Sequence, residues 1–236
     1  MKTPAELEKY FSALGAVFLT PPGALIERVR RIRALVFDWD GVFNSGVKGD
    51  GVSSTFSEAD SMGTNLLRYA LWRAHGKLPI TVIVTGAENP SARKFAFREH
   101  FAAVYSNVLD KSEAIAAVRT AHGIDGAEIA CVFDDVNDLA MAAECGLRCL
   151  VRRDASPLVQ DFVAERGLCD YITAMRADRN AVREIAELLI GLLGEFDAVA
   201  ASRMRFDAEY ASYFSARQSV RTESLTVETR FSEALP

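Results

Sequence analysis

The chain has 236 residues, 50% of them hydrophobic and 25% charged, a balance that permits a sizeable core and excludes wholesale disorder or a disulfide-stapled miniprotein. Its 27 Lys and Arg against 32 Asp and Glu leave a formal net charge of −5, which supplies no basic field for a nucleic-acid backbone and argues against nucleic acid as a partner. Cys131, Cys145, Cys149 and Cys169 form no Cys-x-x-Cys pair, and His75, His100 and His122 lie far apart; the cysteines read as core thiols of a reducing, cytoplasmic compartment.

In chain order, the apolar stretch 11–19 is preceded by Glu6 and Glu8 and followed by Thr20-Pro21-Pro22 instead of a small-residue cleavage site. It reads as an amphipathic helix in an N-terminal extension, 1–30, and not as a signal peptide. From residue 31, short β-rich runs (32–38, 80–85, 103–105, 129–133, 147–151 and 171–173) alternate with helical patterns (60–75, 90–100, 111–122, 137–144, 157–166 and 180–193). That alternation predicts the α/β class, a parallel sheet wrapped by helices, over 31–194. Stretch 42–56 interrupts it: Gly46, Gly49 and Asp50-Gly51 within Val/Phe/Thr runs predict a β-hairpin flap after the first strand. The longest apolar run, 185–193, is too short to span a bilayer and contains Glu187, so no membrane partner is expected. In the last segment, 195–236, Phe196, Val199, Met204, Phe206, Tyr210 and Phe214 keep a loose helical period before the chain turns polar at 219; a docked helix and a tail are expected.

The chemistry gathers where these strands end. The run 35–37 ends in Asp38-Trp39-Asp40-Gly41, and in an extended chain positions two apart project to the same side, so both carboxylates face one place. Such a pair repels unless a cation or shared proton intervenes; alone, the motif reads equally as an acidic turn hinged at Gly41. The second strand ends in Thr85-Gly86, a hydroxyl and an open N–H suited to an anion, or simply a turn. Lys111 opens a helix at the dipole end that disfavours cations, and so calls for a negative partner or for solvent. The fourth strand runs into Asp134-Asp135-Val136-Asn137-Asp138, a cluster costly to hold without a metal ion unless it serves as a cap. All fall at the carboxyl ends of successive strands, where open α/β sheets bind ligands.

Together these motifs resemble, over about residues 31–191, the haloacid dehalogenase (HAD) superfamily of aspartate-based phosphotransferases, with its Asp-x-Asp-Gly, Thr or Ser, Lys and paired-acid motifs in this order. The resemblance implies a HAD-like Rossmannoid fold and a phosphomonoester substrate. It implies that Asp38 attacks phosphorus, that Asp40 protonates the leaving oxygen and later activates water, and that Thr85 and Lys111 bind phosphoryl oxygens. It also implies Mg2+ on the Asp38 carboxylate, the Asp40 backbone carbonyl and Asp134, with Gly86, Asp60, Asp135 and Asp138 supporting ligands or facing substrate.

Only 47 residues separate Asp38 from Thr85 and 26 separate Thr85 from Lys111, which leaves no room for a cap domain. The likeness is to the capless subfamily that includes 3-deoxy-manno-octulosonate 8-phosphate phosphatase and nonulosonate 9-phosphate phosphatases, commonly tetramers. Phe56, Asp60, Gly63, Asp154-Ala155 and Asn180-Ala181-Val182-Arg183-Glu184 carry it. The sequence departs from that subfamily at Ala59 and Ala87, where arginines are usual, at Phe133, at Phe43-Asn44-Ser45 and at Met175-Arg176-Ala177-Asp178. Intact machinery within an altered shell predicts a phosphatase of small sugar or sugar-acid phosphates whose substrate is not set by the resemblance. A non-catalytic binding or regulatory protein of the same fold is the rival reading.

Overall fold

A computed structural model describes residues 2–49 and 54–226. Strands β2 (Ala34–Phe37), β4 (Ala103–Ser106) and β5 (Ile129–Phe133) are buried at every position, as parallel strands covered on both faces must be. With β1 (Val17–Phe18), β3 (Ile80–Val84), β6 (Leu147–Leu150), β7 (Tyr171–Ile172) and β8 (Glu223–Thr226) they form one sheet in the order β1-β7-β6-β5-β2-β3-β4-β8. Every neighbouring pair is parallel except β1 with β7.

Alternate strand residues feed two cores. Leu35, Phe37, Ile83 and Val132 pack under α1 (Pro4–Ala13), α2 (Pro22–Val29), α3 (Glu58–His75), α4 (Pro90–Glu99), α8 (Ala181–Leu192), α9 (Phe196–Arg205) and α10 (Ala208–Gln218). Ala34, Val36, Val82, Cys131 and Phe133 pack under α5 (Lys111–His122), α6 (Leu139–Ala143) and α7 (Pro157–Glu165). The four cysteines are buried and free. Among the described residues no helix is long and apolar enough to cross a membrane.

Three expectations change. The single helix over 11–19 is instead the end of α1, a turn at Gly15 (φ +108) and β1, and Pro22 then opens α2; glycine reaches that φ without strain. The single C-terminal helix is two, broken at Phe206 (φ 48), with Asp207 capping α10 through the Tyr210 N–H. Part of the expected tail is β8, paired with β4; residues 227–236 lie outside the described residues. The expected hairpin centres on Asp50-Gly51, and 50–53 also lie outside the described residues; the described part of 42–56 forms no strand and carries a turn, with an isolated bridge between Asp40 and Asn44.

Candidate active site

The central strands β5, β2 and β3 end side by side, so the residues that follow them meet above the carboxyl edge. Asp38 stays tied to the sheet through its N–H to the Val132 carbonyl (2.9 Å), and Thr85 through its N–H to the Tyr105 carbonyl (2.9 Å). Between the two acids of the first motif, Trp39 anchors the loop by packing on Phe43, Phe56 and Phe95. Its indole N–H donates to Ser54 Oγ, whose hydroxyl donates to Asn89 Oδ1, and the Asn89 amide approaches Asp40 Oδ2 at 3.5 Å. Gly41 (φ +93) passes so close to Asp134 that a Cβ would lie 2.1 Å from its Oδ2, so no larger residue fits there.

The resulting cavity, about 330 Å³, is lined by Asp38, Asp40, Thr85, Gly86, Lys111, Asp134, Asp135 and Asp138, and also by Lys48, Ala87 and Arg153. Lys111 Nζ lies 2.5 Å from Asp38 Oδ1 and 2.5 Å from Asp138 Oδ1, which supplies the negative partners that its place in α5 calls for. The other oxygen of Asp138 accepts the N–H groups of Asp134 and Asp135 (3.3 Å each), so Asp138 clamps the lysine to the acid loop. A larger groove of about 510 Å³ lies along α1 and α8 and lacks this convergence of acids with a buried lysine.

Burial, and then repulsion from Asp138, raises the Asp38 pKa well above the ordinary carboxylate range against the pull of Lys111. Burial lifts Asp134 to about 6, although Arg153 opposes it. Burial pulls Lys111 down, but Asp38 and Asp138 outweigh it and the lysine pKa is raised. Carboxylate oxygens of Asp38, Asp134 and Asp138 all lie within 4.8 Å of one another. Asp134 Oδ2 receives no well-formed hydrogen bond, although Arg153 Nε is pressed against it. Five carboxylates lining the cavity against three cationic side chains give the lining a formal excess of two acidic groups. Hard oxygen donors with that surplus fit a divalent cation of the Mg2+ type.

Asp60 is placed elsewhere. It is fully buried in α3, accepts the Arg183 N–H (2.9 Å) and the Asn180 amide (3.3 Å) at the start of α8, and does not line the cavity. Two residues that sequence reasoning missed do line it. Lys48 pairs with Asp40 Oδ2 at 2.8 Å, and Arg153 follows β6. The rule that singled out Asp38, Thr85 and Asp134 also applies to the carboxyl end of β6, and would have flagged Arg152-Arg153.

A parallel sheet carrying Asp-x-Asp, Thr, Lys and paired acids along its carboxyl edge has the architecture of HAD superfamily hydrolases, and solved structures of that superfamily superpose on the chain. One, from Legionella pneumophila and assigned to HAD subfamily III A hydrolases, is 25% identical, covers 78% of this chain and 95% of its own, and gives a TM-score of 0.65. A hypothetical protein from Xanthomonas campestris is 27% identical, with 79% and 95% covered and a TM-score of 0.65. More narrowly, the fold is similar to 3-deoxy-D-manno-octulosonate 8-phosphate phosphatase from Moraxella catarrhalis, solved with magnesium, phosphate and the sugar acid; it is 23% identical, with 75% and 97% covered and a TM-score of 0.62. No family model and no curated protein matches the sequence.

Proposed function

We propose that the chain is a Mg2+-dependent phosphomonoesterase acting on a small phosphorylated sugar or sugar acid through an aspartyl-phosphate intermediate. The observation that carries this reading is the Asp38 carboxylate, buried in an open cavity, bonded to Lys111 at 2.5 Å and gathered with Asp134 and Asp138 within 4.8 Å. Asp38 attacks phosphorus while the bond to the leaving oxygen breaks, and Asp40 gives that oxygen its proton. Asp40 then takes a proton from the water that cleaves the acyl phosphate. Lys111, the Thr85 hydroxyl and the Gly86 N–H hold the phosphoryl oxygens and balance their charge. The Asp38 carboxylate, the Asp40 carbonyl and Asp134 would hold Mg2+, which supplies further charge neutralisation. Release of inorganic phosphate from a panel of phosphorylated metabolites tests this; no release from any member with Mg2+ present, or release undiminished by a chelator, refutes it.

On specificity, Ala87 lines the cavity without a donor, where a guanidinium would grip a substrate carboxylate in two hydrogen bonds. A charged contact of that kind is worth about 1.5–3 kcal/mol, roughly 10- to 150-fold in binding. A neutral sugar phosphate is therefore expected to be hydrolysed at least as efficiently as octulosonate 8-phosphate. A kcat/KM for the octulosonate ester more than about 100-fold above every neutral sugar phosphate overturns that expectation.

We further infer a homo-oligomer, a tetramer in the subfamily pattern, in which a neighbour covers the cavity. Val47, Leu109 and Val136, near the cavity, are exposed apolar side chains (63%, 73% and 58%), and such a rim favours being covered. A monomer mass by light scattering at micromolar concentration counts against it.

A further inference from the structure

Arg153 belongs to none of the four motifs, yet it reaches into the acid cluster. Its Nε is pressed against Asp134 Oδ2, and its Nη1 lies 3.9 Å from Asp135 Oδ2. The first-motif loop is shaped around the guanidinium. A Cβ on Gly41 would lie 2.5 Å from Nη2 and one on Gly46 would lie 3.3 Å away, and both glycines have positive φ (+93 and +74). Buried Asn44 holds that loop in place, accepting the Gly46 N–H at 2.9 Å and donating to the Trp39 carbonyl at 3.3 Å.

The oxygen that Arg153 covers, Asp134 Oδ2, is fully buried and has no well-formed hydrogen bond, and Asp134 belongs to the Asp38–Asp134–Asp138 group. A guanidinium and a hard divalent cation both seek the Asp134 carboxylate, and two cations crowded onto it repel each other strongly. Arg153 has room to leave. Its side chain is 37% exposed, and Asp135, half open to solvent, already stands within ion-pair range on the far side of the guanidinium.

We propose that Arg153 is a built-in counter-ion that competes with the divalent cation for Asp134 and passes to Asp135 when the cation binds. The proposal rests on the cation-site reading given above. Its cost is a lowered apparent metal affinity: if the form with Arg153 on Asp134 makes up about nine-tenths of the metal-free protein, the apparent Kd is about tenfold above the intrinsic one. Its benefit is an acid cluster that is partly neutralised before metal arrives. The same guanidinium walls a neighbouring pocket of about 300 Å³ shared with Ser45, Asp154 and Arg176, so the handover also shifts the boundary between the two spaces.

The test is calorimetric titration of Mg2+ into the metal-stripped full chain, with no substrate present. Arg153→Gln and Arg153→Ala are expected to bind Mg2+ about tenfold more tightly than wild type, with circular dichroism confirming the fold. Adding guanidinium chloride at about 20 mM, well below denaturing levels, to Arg153→Ala should weaken Mg2+ binding more than sodium chloride at equal ionic strength. Unchanged or weaker binding in both variants, or equal effects of the two salts, overturns the competition. Asp134→Ala separates the two readings. If it leaves Mg2+ affinity intact, the cation site itself is misplaced; if it abolishes binding while the Arg153 variants match wild type, only the competition fails.

Discussion

Asp134 and Asp170 are both buried aspartates next to a strand of the same sheet, and they are provided for in opposite ways. Asp170 precedes β7 at the amino edge and accepts from Thr20 Oγ1 (2.7 Å), Arg28 Nη1 (2.6 Å), the Arg148 N–H (2.9 Å) and Arg148 Nε and Nη2 (3.1 Å each). Two guanidinium groups and a hydroxyl converge on one carboxylate. Asp134 follows β5 at the carboxyl edge, has other carboxylates for neighbours, and shares a half-exposed arginine with Asp135. A buried charge over-supplied with donors ties the chain together, whereas one under-supplied among like charges leaves room for a ligand.

That contrast can be broken experimentally, most forcefully at the proposed nucleophile. Asp38→Asn should leave the fold intact and lower phosphate release by about a thousandfold or more, since the loss of covalent catalysis costs several kcal/mol; a rate above about a tenth of wild type removes Asp38 from that role. Asp170→Ala should then cost about 3–5 kcal/mol of stability, because it strands Arg28 and Arg148 beside the sheet. Asp134→Ala, measured in chelator, should cost less than about 1 kcal/mol, since the carboxylate it removes is one its neighbours repel. Thermal melts of the pair decide the matter: equal losses mean the two aspartates do the same work. With metal present, the Mg2+ concentration for half-maximal activity should rise in Asp134→Ala, and an unmoved value excludes Asp134 as a ligand.

How much of this was readable beforehand follows from what is local. The central strands were legible because burial on both faces demands an unbroken apolar run, as in 129–133. Asp38, Thr85, Lys111 and Asp134 were legible as a set because strand ends at one edge of a parallel sheet converge whatever the intervening helices do. β1 was not, since Val17-Phe18 continues the apolar period of α1 and becomes a strand only by pairing with β7, more than 150 residues away. The partners of Lys48 and Arg153 were equally hidden, because a charged side chain carries no sign in sequence of which distant carboxylate it meets. Asp60 misled for the opposite reason: it lies in a helix that begins soon after the first motif, but the face it occupies turns toward α8.

Asp60 therefore supplies the finest test of the contrast, as an intermediate case. Like Asp170 it serves structure, but its donors are a backbone N–H and an amide, with no guanidinium hydrogen-bonded to it. Burial consequently wins over those two hydrogen bonds and lifts its pKa to about 6 from an ordinary 3.8. Because the folded state holds this proton more tightly than the unfolded chain does, the contribution is fully present below pH 3.8 and is lost as pH rises through about 6. A displacement of about two pKa units bounds the effect at about 3 kcal/mol. Asp60→Asn, which keeps an acceptor for the Arg183 N–H but carries no charge, removes this dependence. Relative to wild type the variant should gain about 1–3 kcal/mol between pH 5 and pH 8, read as a difference in Tm that widens with pH. A difference that stays constant across that range means neutral donors alone satisfy a buried carboxylate here, and the distinction between Asp134 and Asp170 would then rest on like-charge repulsion and not on the lack of a cation.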